Sequence, residues 1–171
     1  EHSLSPQLHN YWIKKNNINA VYDKKQLNES DIEEIITEVK NGKIDGINVT
    51  VPFKKSVIPF LDKLTPLANE TRSVNTIYKE KENGIDTVVG DNTDVGGFKK
   101  SLEYINYNVK NKKVFILGAG GVVPSILKAL EKLKVSKVYI SNRTKEKAKD
   151  LESHYKISLG LETLDWGQSP D

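Results

Sequence analysis

One run of residues in the second half of the chain restricts the possible folds more than any other. An apolar strand, VFILG at residues 114–118, leads into the segment AGG and then into VVPSILKALEKL, whose apolar residues have helical spacing. A second apolar strand, KVYIS, ends at Ser141. Together these elements predict a βαβ unit of about the length that dinucleotide-binding folds use.

The glycine turn in this unit has a physical use at that position. Glycines allow a pyrophosphate to approach the backbone, and the free amide groups at the start of the following helix bind its negative charge. Val123 stands where the usual fingerprint has a third small residue, so a purely structural turn is the alternative. The predicted cofactor-binding residues of the turn are Gly118, Ala119, Gly120, Gly121 and Val122.

Predicted strands and helices alternate through the rest of the chain. Strands are expected at 46–51, 74–79 and 87–89, and helices from Pro6, over IEEIITEVK, at 57–64, after Thr65-Pro66 and at 95–105. Ser30 and Glu33 predict a capping box before IEEIITEVK, and Asn41-Gly42 predicts its end. The alternation predicts an α/β fold with largely parallel sheets, and the polar stretch 106–113 is interpreted as a boundary or linker.

Composition and charge exclude several classes of protein. The 171 residues contain no cysteine, no apolar run of the roughly 20 residues that a membrane span needs, and no secretory signal pattern, so a soluble cytoplasmic protein is expected. His2, His9 and His154 lack metal-ligand spacing, which predicts no metal site. The 26 basic and 23 acidic residues form no basic stripe with interleaved aromatic residues, so no nucleic-acid partner is expected. No membrane partner is expected either, because the chain has no long apolar run.

The end of the second βαβ strand bears on the choice of nicotinamide cofactor. NAD-binding folds usually place an acidic residue there to hold the ribose hydroxyls, whereas this chain has Asn142, Arg143 and Thr144, with Lys147 one helical turn later. Arginine occurs at only one other position of the chain, Arg72. A planar donor fork at the expected 2′-phosphate favours NADP, and the alternative is that Arg143 and Lys147 are ordinary surface charges.

Six short motifs occur in a fixed order through nearly the whole chain. They are HSLSP at 2–6, NVTVPFK at 48–54, VNT at 74–76, GDNTD at 90–94, GAGG at 118–121 and NRT at 142–144. Each motif alone is weak, but six in order are specific, and the chain resembles the shikimate dehydrogenases of the shikimate/quinate dehydrogenase family. Members normally begin with a strand before HSLSP and continue well past Asp171, so the chain is expected to be a portion of such an enzyme.

The resemblance implies a substrate-binding α/β domain at 1–98 and a Rossmann-like NADP-binding domain, incomplete, at 99–171. It implies an NADP-dependent oxidoreductase that reversibly reduces 3-dehydroshikimate to shikimate in aromatic amino acid (chorismate) biosynthesis, acting as a monomer or homodimer. Two alternatives stay open: an NAD-using quinate/shikimate dehydrogenase, and a non-catalytic module that binds shikimate or nucleotide. Retention of both Lys54 and Asp94 argues against the second alternative, because a binding module has no need of that pair.

The resemblance also implies roles for individual residues. Ser3 and Ser5 match ligands of the substrate carboxylate; Thr50, Asn75 and Asp94 match ligands of the ring; and Lys54 matches the catalytic lysine, with Asp94 beside it. Hydride delivery to a ketone builds negative charge on oxygen, which a cation stabilises and a proton quenches. Either Lys54 or Asp94 could transfer that proton.

Some of these residues also have purely structural interpretations, and the chain departs from the family at one place. Ser5 could be a helix N-cap, and Asn92 to Asp94 could be an Asx turn that caps the next helix. Arg72-Ser73 stands where the family usually has Gly-Ala before VNT, which puts a long cation near the expected cleft.

Overall fold

The computed structural model describes residues 3–170 of the chain. His2, the first residue of the HSLSP motif, lies outside the described residues. The chain divides into two compact units, residues 1–32 and residues 33–171.

The first unit contains helix α1 (Ser5–Lys15) and an extended segment that folds back along it. The Asn10 side chain on α1 donates from Nδ2 to the Tyr22 carbonyl oxygen at 2.7 Å and accepts at Oδ1 from the Tyr22 amide at 2.9 Å. The rings of His9 and Tyr22 stack with their centroids 4.3 Å apart. Hydrogen bonds and ring stacking therefore hold the returning segment, since no side chain of α1 is buried.

The start of α1 differs from the capping role that Ser5 could have played. Ser5 is the first helical residue, and Leu4 occupies the N-cap position without a side-chain cap. Pro6 follows in the first turn, where its missing amide hydrogen leaves no helical bond unmade. The N-cap interpretation of Ser5 is therefore wrong, and its hydroxyl is not used to cap the helix.

Helix α2 (Ile32–Lys40) follows one 3₁₀ turn at Glu29–Asp31. The predicted capping box of Ser30 and Glu33 is wrong by two residues, because the 3₁₀ turn begins first and the Asp31 carboxylate accepts the Asn28 amide hydrogen at 2.7 Å. The end of α2 agrees with the Asn41-Gly42 signal: the helix stops at Lys40 and Gly42 has φ of 74°. The buried residues of the helix recur at helical spacing: Ile32, Ile35, Ile36 and Val39.

A four-stranded mixed sheet forms the first part of the second unit. Its strands are β1 (Gly46–Asn48), β2 (Lys63–Leu64), β3 (Thr76–Glu82) and β4 (Ile85–Asp91), in the order β1-β3-β4-β2. β3 pairs antiparallel with β1 and β4, and β2 pairs parallel with β4. The β3–β4 hairpin turns at Asn83 and Gly84, which both have positive φ, as a tight two-residue turn requires.

Three predictions for this sheet are wrong. The strand expected at 46–51 stops at Asn48, because the chain then enters a series of turns. The helix expected at 57–64 is a 3₁₀ turn at Ile58–Phe60 followed by β2, since strand pairing with β4 takes the place of helical hydrogen bonds. The sheet is mixed rather than largely parallel, because a tight hairpin joins β3 to β4.

Two helices flank this sheet in sequence. Helix α3 (Pro66–Thr71) is capped by Thr65, whose Oγ1 accepts the Ala68 amide hydrogen at 3.3 Å. Helix α4 (Asp94–Tyr104) begins after a two-residue connection, 92–93, that follows β4, and it ends before the polar stretch 106–113. The predicted domain boundary at 98/99 falls inside α4, and the division into two domains stays a prediction.

A three-stranded parallel sheet forms the second part of this unit. Its strands are β5 (Lys113–Leu117), β6 (Lys137–Ser141) and β7 (Glu162–Leu164), in that order, with helix α5 (Val123–Lys132) and helix α6 (Lys145–Leu159) between them. Pro124 lies in the first turn of α5, as predicted. Leu127 and Leu130 of α5 pack into the core with Val138 and Ile140 of β6. The α/β fold class is confirmed, and the carboxyl ends of β5 and β6 meet at the glycine turn.

Candidate active site

An ammonium–carboxylate pair lies where the turns after β1 approach the start of α4. Lys54 Nζ is 2.7 Å from Asp94 Oδ2, and the two side chains are 12% and 23% exposed. Asp94 is the first residue of α4, where the partial positive charge of the helix end favours a carboxylate. Shielding from water strengthens such a pair and restricts its geometry.

Asn75 fixes the orientation of the Asp94 carboxylate. Its Nδ2 donates to Asp94 Oδ1 at 2.9 Å and to Thr93 Oγ1 at 2.8 Å. Its Oδ1 accepts the Thr93 amide hydrogen at 2.9 Å and the Thr76 hydroxyl hydrogen at 3.1 Å. One oxygen of Asp94 therefore faces the lysine and the other faces the asparagine.

Backbone hydrogen bonds hold the segment that carries Lys54 beside β3. The Val74 amide donates to the Lys54 carbonyl oxygen at 2.8 Å, and the Val49 amide donates to the Asn75 carbonyl oxygen at 2.8 Å. Thr50 lies beyond the end of β1 and is exposed, so the two-residue period of a strand does not determine which way it faces.

Ser3 and Ser5 belong to the first compact unit. The Ser5 amide donates to the Ser3 hydroxyl oxygen at 3.3 Å, at the first turn of α1. Both serines stand at the amino end of a helix, and their assignment to a substrate carboxylate stays a prediction.

The predicted nucleotide turn lies between β5 and α5. Gly118 has φ of 108°, which favours glycine, and its amide donates to the Ser141 carbonyl oxygen at 2.7 Å. A side chain at Gly118 or Gly120 would meet no atom within 4 Å, so the space above these residues is open. Val122 is the residue before the first turn of α5. Within the described part of the chain, the amides of Gly120, Gly121 and Val122 donate to no backbone carbonyl oxygen.

The end of β6 approaches this turn through Asn142. Its Oδ1 accepts the Ala119 amide hydrogen at 3.0 Å, and its Nδ2 donates to the Thr144 carbonyl oxygen at 2.7 Å. Arg143 and Lys147 are exposed. Asn142 therefore fixes the glycine turn through its side chain, while Arg143 and Lys147, which follow Asn142 in the sequence, are exposed to solvent.

Several contacts near the site were not predicted from the sequence. Lys145, two residues after Arg143 in the sequence, pairs with Asp165, which follows β7. Ser73, Asn92 and Ser125 are fully buried polar residues between the ion pair and the glycine turn. A serine among the apolar residues of α5 is the sequence signal that would have pointed to Ser125.

A separate cavity of about 570 Å³ lies between α3, α5 and α6. Lys128 on its wall pairs with Glu131 and, at 2.9 Å, with Glu70, and these hydrogen bonds raise the pKa of Lys128. Burial alone would raise the pKa of Glu131, but hydrogen bonds from Lys128 and Ser158 outweigh it, so the pKa is lowered. The ion pair of Lys54 and Asp94 is not part of this cavity's lining.

Two family models match most of the chain. Residues 1–77 match the shikimate dehydrogenase substrate binding domain, and residues 100–165 match shikimate / quinate 5-dehydrogenase. The shikimate dehydrogenase (NADP(+)) of Pelagibacter ubique strain HTCC1062 is 53% identical to this chain over 171 residues, which are 100% of the chain and 62% of the relative. The chain spans about three fifths of the length of such curated relatives.

Solved structures give the same result. The crystal structure of shikimate dehydrogenase from Aquifex aeolicus is 41% identical, with a TM-score of 0.83 over 95% of this chain and 58% of that one. The shikimate 5-dehydrogenase of Thermus thermophilus, in complex with NADP(H) and shikimate, is 28% identical, with a TM-score of 0.81 over 95% of this chain and 58% of that one. With matching family models on both parts, these similarities place the chain in one group: it belongs to the shikimate dehydrogenase family.

Proposed function

We propose that this chain carries the chemistry of an NADP-dependent shikimate dehydrogenase, which reversibly reduces the ketone of 3-dehydroshikimate to the hydroxyl of shikimate. The observation that carries the proposal is the shielded pair of Lys54 and Asp94, 2.7 Å apart and oriented by Asn75. The names of the relatives support the same reaction and the same cofactor.

The proposed roles of the pair follow from charge. NADPH, when bound, supplies the hydride that reduces the ketone carbon. As the ketone oxygen gains negative charge, the Lys54 ammonium stabilises it and a proton from the pair completes the hydroxyl. In the reverse direction the pair accepts that proton. Asp94 holds the lysine in place through Oδ2, and Asn75 holds Asp94 through Oδ1.

The residues of the glycine turn suit a dinucleotide. The open space above Gly118 and Gly120 allows a pyrophosphate to approach the backbone, and the amides at the start of α5 can donate to it. Arg143 and Lys147 are proposed to hold the 2′-phosphate, with Asn142 and Thr144 shaping the loop that presents them. Their exposure leaves both cations accessible to a ligand.

Substrate binding is proposed to involve Thr50, Asn75 and the ion pair, together with Ser3 and Ser5 for the carboxylate. Such a polar substrate needs a hydrogen-bond partner for each desolvated group. Partners other than the small-molecule substrate and cofactor are not proposed. A cytoplasmic location, and a monomer or homodimer, stay predictions.

No described helix is long and apolar enough to cross a membrane.

The deciding experiment measures the absorbance of reduced cofactor in the full-length protein that carries this sequence. Shikimate and quinate are each offered with NADP and with NAD. Fast turnover with shikimate and NADP supports the proposal. A preference for NAD with quinate would favour the alternative dehydrogenase, and binding without turnover would favour a non-catalytic module.

A further inference from the structure

Asn92 is the centre of a buried polar cluster that the proposed chemistry does not use. It is 2% exposed, and its Nδ2 lies 2.8 Å from both the Ser73 carbonyl oxygen and the Ser125 hydroxyl oxygen. Thr71 Oγ1 lies at 3.1 Å, and Asn92 Oδ1 accepts the Val95 amide hydrogen at 3.3 Å. Asn92 thus caps the start of α4, as the Asx interpretation of this loop expects, and also reaches two other elements.

Ser73 extends the cluster to the glycine turn. Its side chain is fully buried, and its hydroxyl donates to the Gly121 carbonyl oxygen at 3.3 Å. Ser73 lies two residues before Asn75, which orients Asp94. Ser125 lies in the first turn of α5, directly after the glycine turn. One set of hydrogen bonds therefore joins both sides of the candidate active site.

Buried hydrogen bonds of this kind constrain direction as well as distance. Apolar side chains could fill the same space and would allow the two sides to slide, whereas an amide that loses its partners in the interior bears the full desolvation cost. Hydride transfer requires the donor carbon, the ketone and the proton donor to be aligned, and small displacements cost much of the rate.

We propose that Ser73, Asn92 and Ser125 are positioning residues that hold the nucleotide turn in register with the pair of Lys54 and Asp94. This inference rests on the proposed function. The cluster sets where the nicotinamide arrives relative to the proton donor, although none of its side chains needs to touch either ligand.

The test uses Ser73→Ala and Ser125→Ala in the full-length protein, because each removes one hydroxyl and little volume. Each change is expected to raise the dissociation constant of NADP about two- to tenfold, the loss of one hydrogen bond, and to lower kcat at saturating substrate. The dissociation constant of shikimate should change less than about twofold. Amide hydrogen exchange at Val123 and Ile126, which donate to the carbonyl oxygens of Gly120 and Val122, should accelerate in both variants.

The matched control is Ser101→Ala, which removes a hydroxyl that donates to the Phe98 carbonyl oxygen at 2.7 Å on the exposed side of α4. It should leave all four measurements unchanged. If the two cluster variants lower only the melting temperature, and leave NADP affinity and kcat at their original values, the cluster is merely structural and the inference is overturned. Absence of turnover and of NADP binding in the unaltered protein would instead overturn the proposed function.

Discussion

The substrate side of the candidate active site and its nucleotide side hold their charges in opposite ways. Lys54 and Asp94 are shielded and satisfy each other at 2.7 Å, with Asn75 on the second carboxylate oxygen. Arg143 and Lys147 are exposed beside the glycine turn. The first region is fixed by its own hydrogen bonds, whereas the two cations of the second region are accessible to a ligand.

This difference teaches which groups need preorganisation. A group that stabilises charge during a reaction must already be oriented and partly free of water, because reorientation would add to the barrier. A cation that only binds a phosphate can stay hydrated until the phosphate replaces the water. The most disruptive changes should therefore be those in the shielded pair.

The largest expected effect is that of Lys54→Ala. Turnover should fall by a factor on the order of a hundred to ten thousand. The variant has no cation to stabilise the developing charge on the ketone oxygen, and the pair that transfers the proton is lost. Shikimate affinity, measured directly, should fall much less. The control is Lys55→Ala, which removes the exposed neighbouring lysine and should leave turnover nearly unchanged. Near-normal turnover in Lys54→Ala would contradict the proposed catalytic role.

Asp94→Asn tests whether the pair acts as a unit. Its turnover should resemble that of Lys54→Ala, and the double variant should be no worse than about the poorer single one, because both changes remove the same assembly. Steady-state kinetics of the two single variants and the double variant provide the comparison. Fully multiplicative losses would show that the two groups act independently.

Arg143→Ala tests the nucleotide side, with a smaller expected effect. Loss of a charge-assisted contact of about 1.5 to 3 kcal/mol should weaken NADP binding roughly ten- to a hundredfold and leave NAD binding nearly unchanged. Calorimetric titration with both cofactors measures the change. Lys149→Ala, an exposed cation on α6, is the matched control. If the binding of NADP and of NAD weakened equally, Arg143 would support the fold rather than bind the 2′-phosphate.

Gly90→Ala tests the packing beneath the shielded region. A Cβ at Gly90 would lie 2.5 Å from Leu61 Cδ1, so the added methyl group should lower the free energy of unfolding by about 1 to 3 kcal/mol. A Cβ at Gly97 on α4 would meet no atom within 4 Å. Gly97→Ala should instead raise the free energy of unfolding by about 0.5 to 1 kcal/mol. Denaturant unfolding measures both, and equal stability of the two variants would refute the packing argument.

The smallest effect is expected at the exposed ion pair of Lys40 and Asp62, which joins a lysine to an aspartate as the pair of Lys54 and Asp94 does. A hydrogen bond from the Val88 amide, and then one from Lys40, lower the pKa of Asp62 below its ordinary value of 3.8. Because its folded-state pKa is lowered, the Asp62 carboxylate stabilises the fold at pH values above its unfolded-state pKa. This stabilisation is lost as the pH falls through the folded-state pKa. Asp62→Asn should cost less than about 1 kcal/mol at neutral pH.

Unfolding measured at several pH values tests this expectation. The difference between Asp62→Asn and the unaltered protein should shrink as the pH falls below 3.8, since protonation removes the charge that the substitution also removes. A difference that grows in acid would show that the sign of the pKa shift is wrong.

The sequence predicted the parallel sheet better than the mixed one. β5, α5 and β6 lie within about one residue of their predicted places, because strong apolar periodicity and a glycine turn are local signals. β2 was missed because its conformation depends on pairing with β4, which lies 26 residues further along the chain. The local spacing of apolar residues at 57–64 favoured a helix, but pairing with the distant strand β4 makes residues 63–64 a strand.

The same distinction applies to the candidate active site. The motifs pointed to Lys54, Asn75 and Asp94, which the structure brings together. Asn92 bonds to Ser73, 19 positions away, and to Ser125, 33 positions away. No spacing rule predicts hydrogen bonds between residues so far apart in the sequence. The side chains that meet around Asp94 were therefore predictable from the motifs, while the contacts of Asn92 with Ser73 and Ser125 required the fold.

Asp94 connects two parts of the second unit, because it is the first residue of α4 and α4 contacts α5. On the other side, its carboxylate accepts a hydrogen bond from Asn75, which directly precedes β3. Lys54 is held to the same region, because the Val74 amide donates to its carbonyl oxygen. Both partners of the ion pair are therefore attached to the mixed sheet, and a displacement of α4 from that sheet would have to break the bond between Asp94 and Asn75 as well as the ion pair.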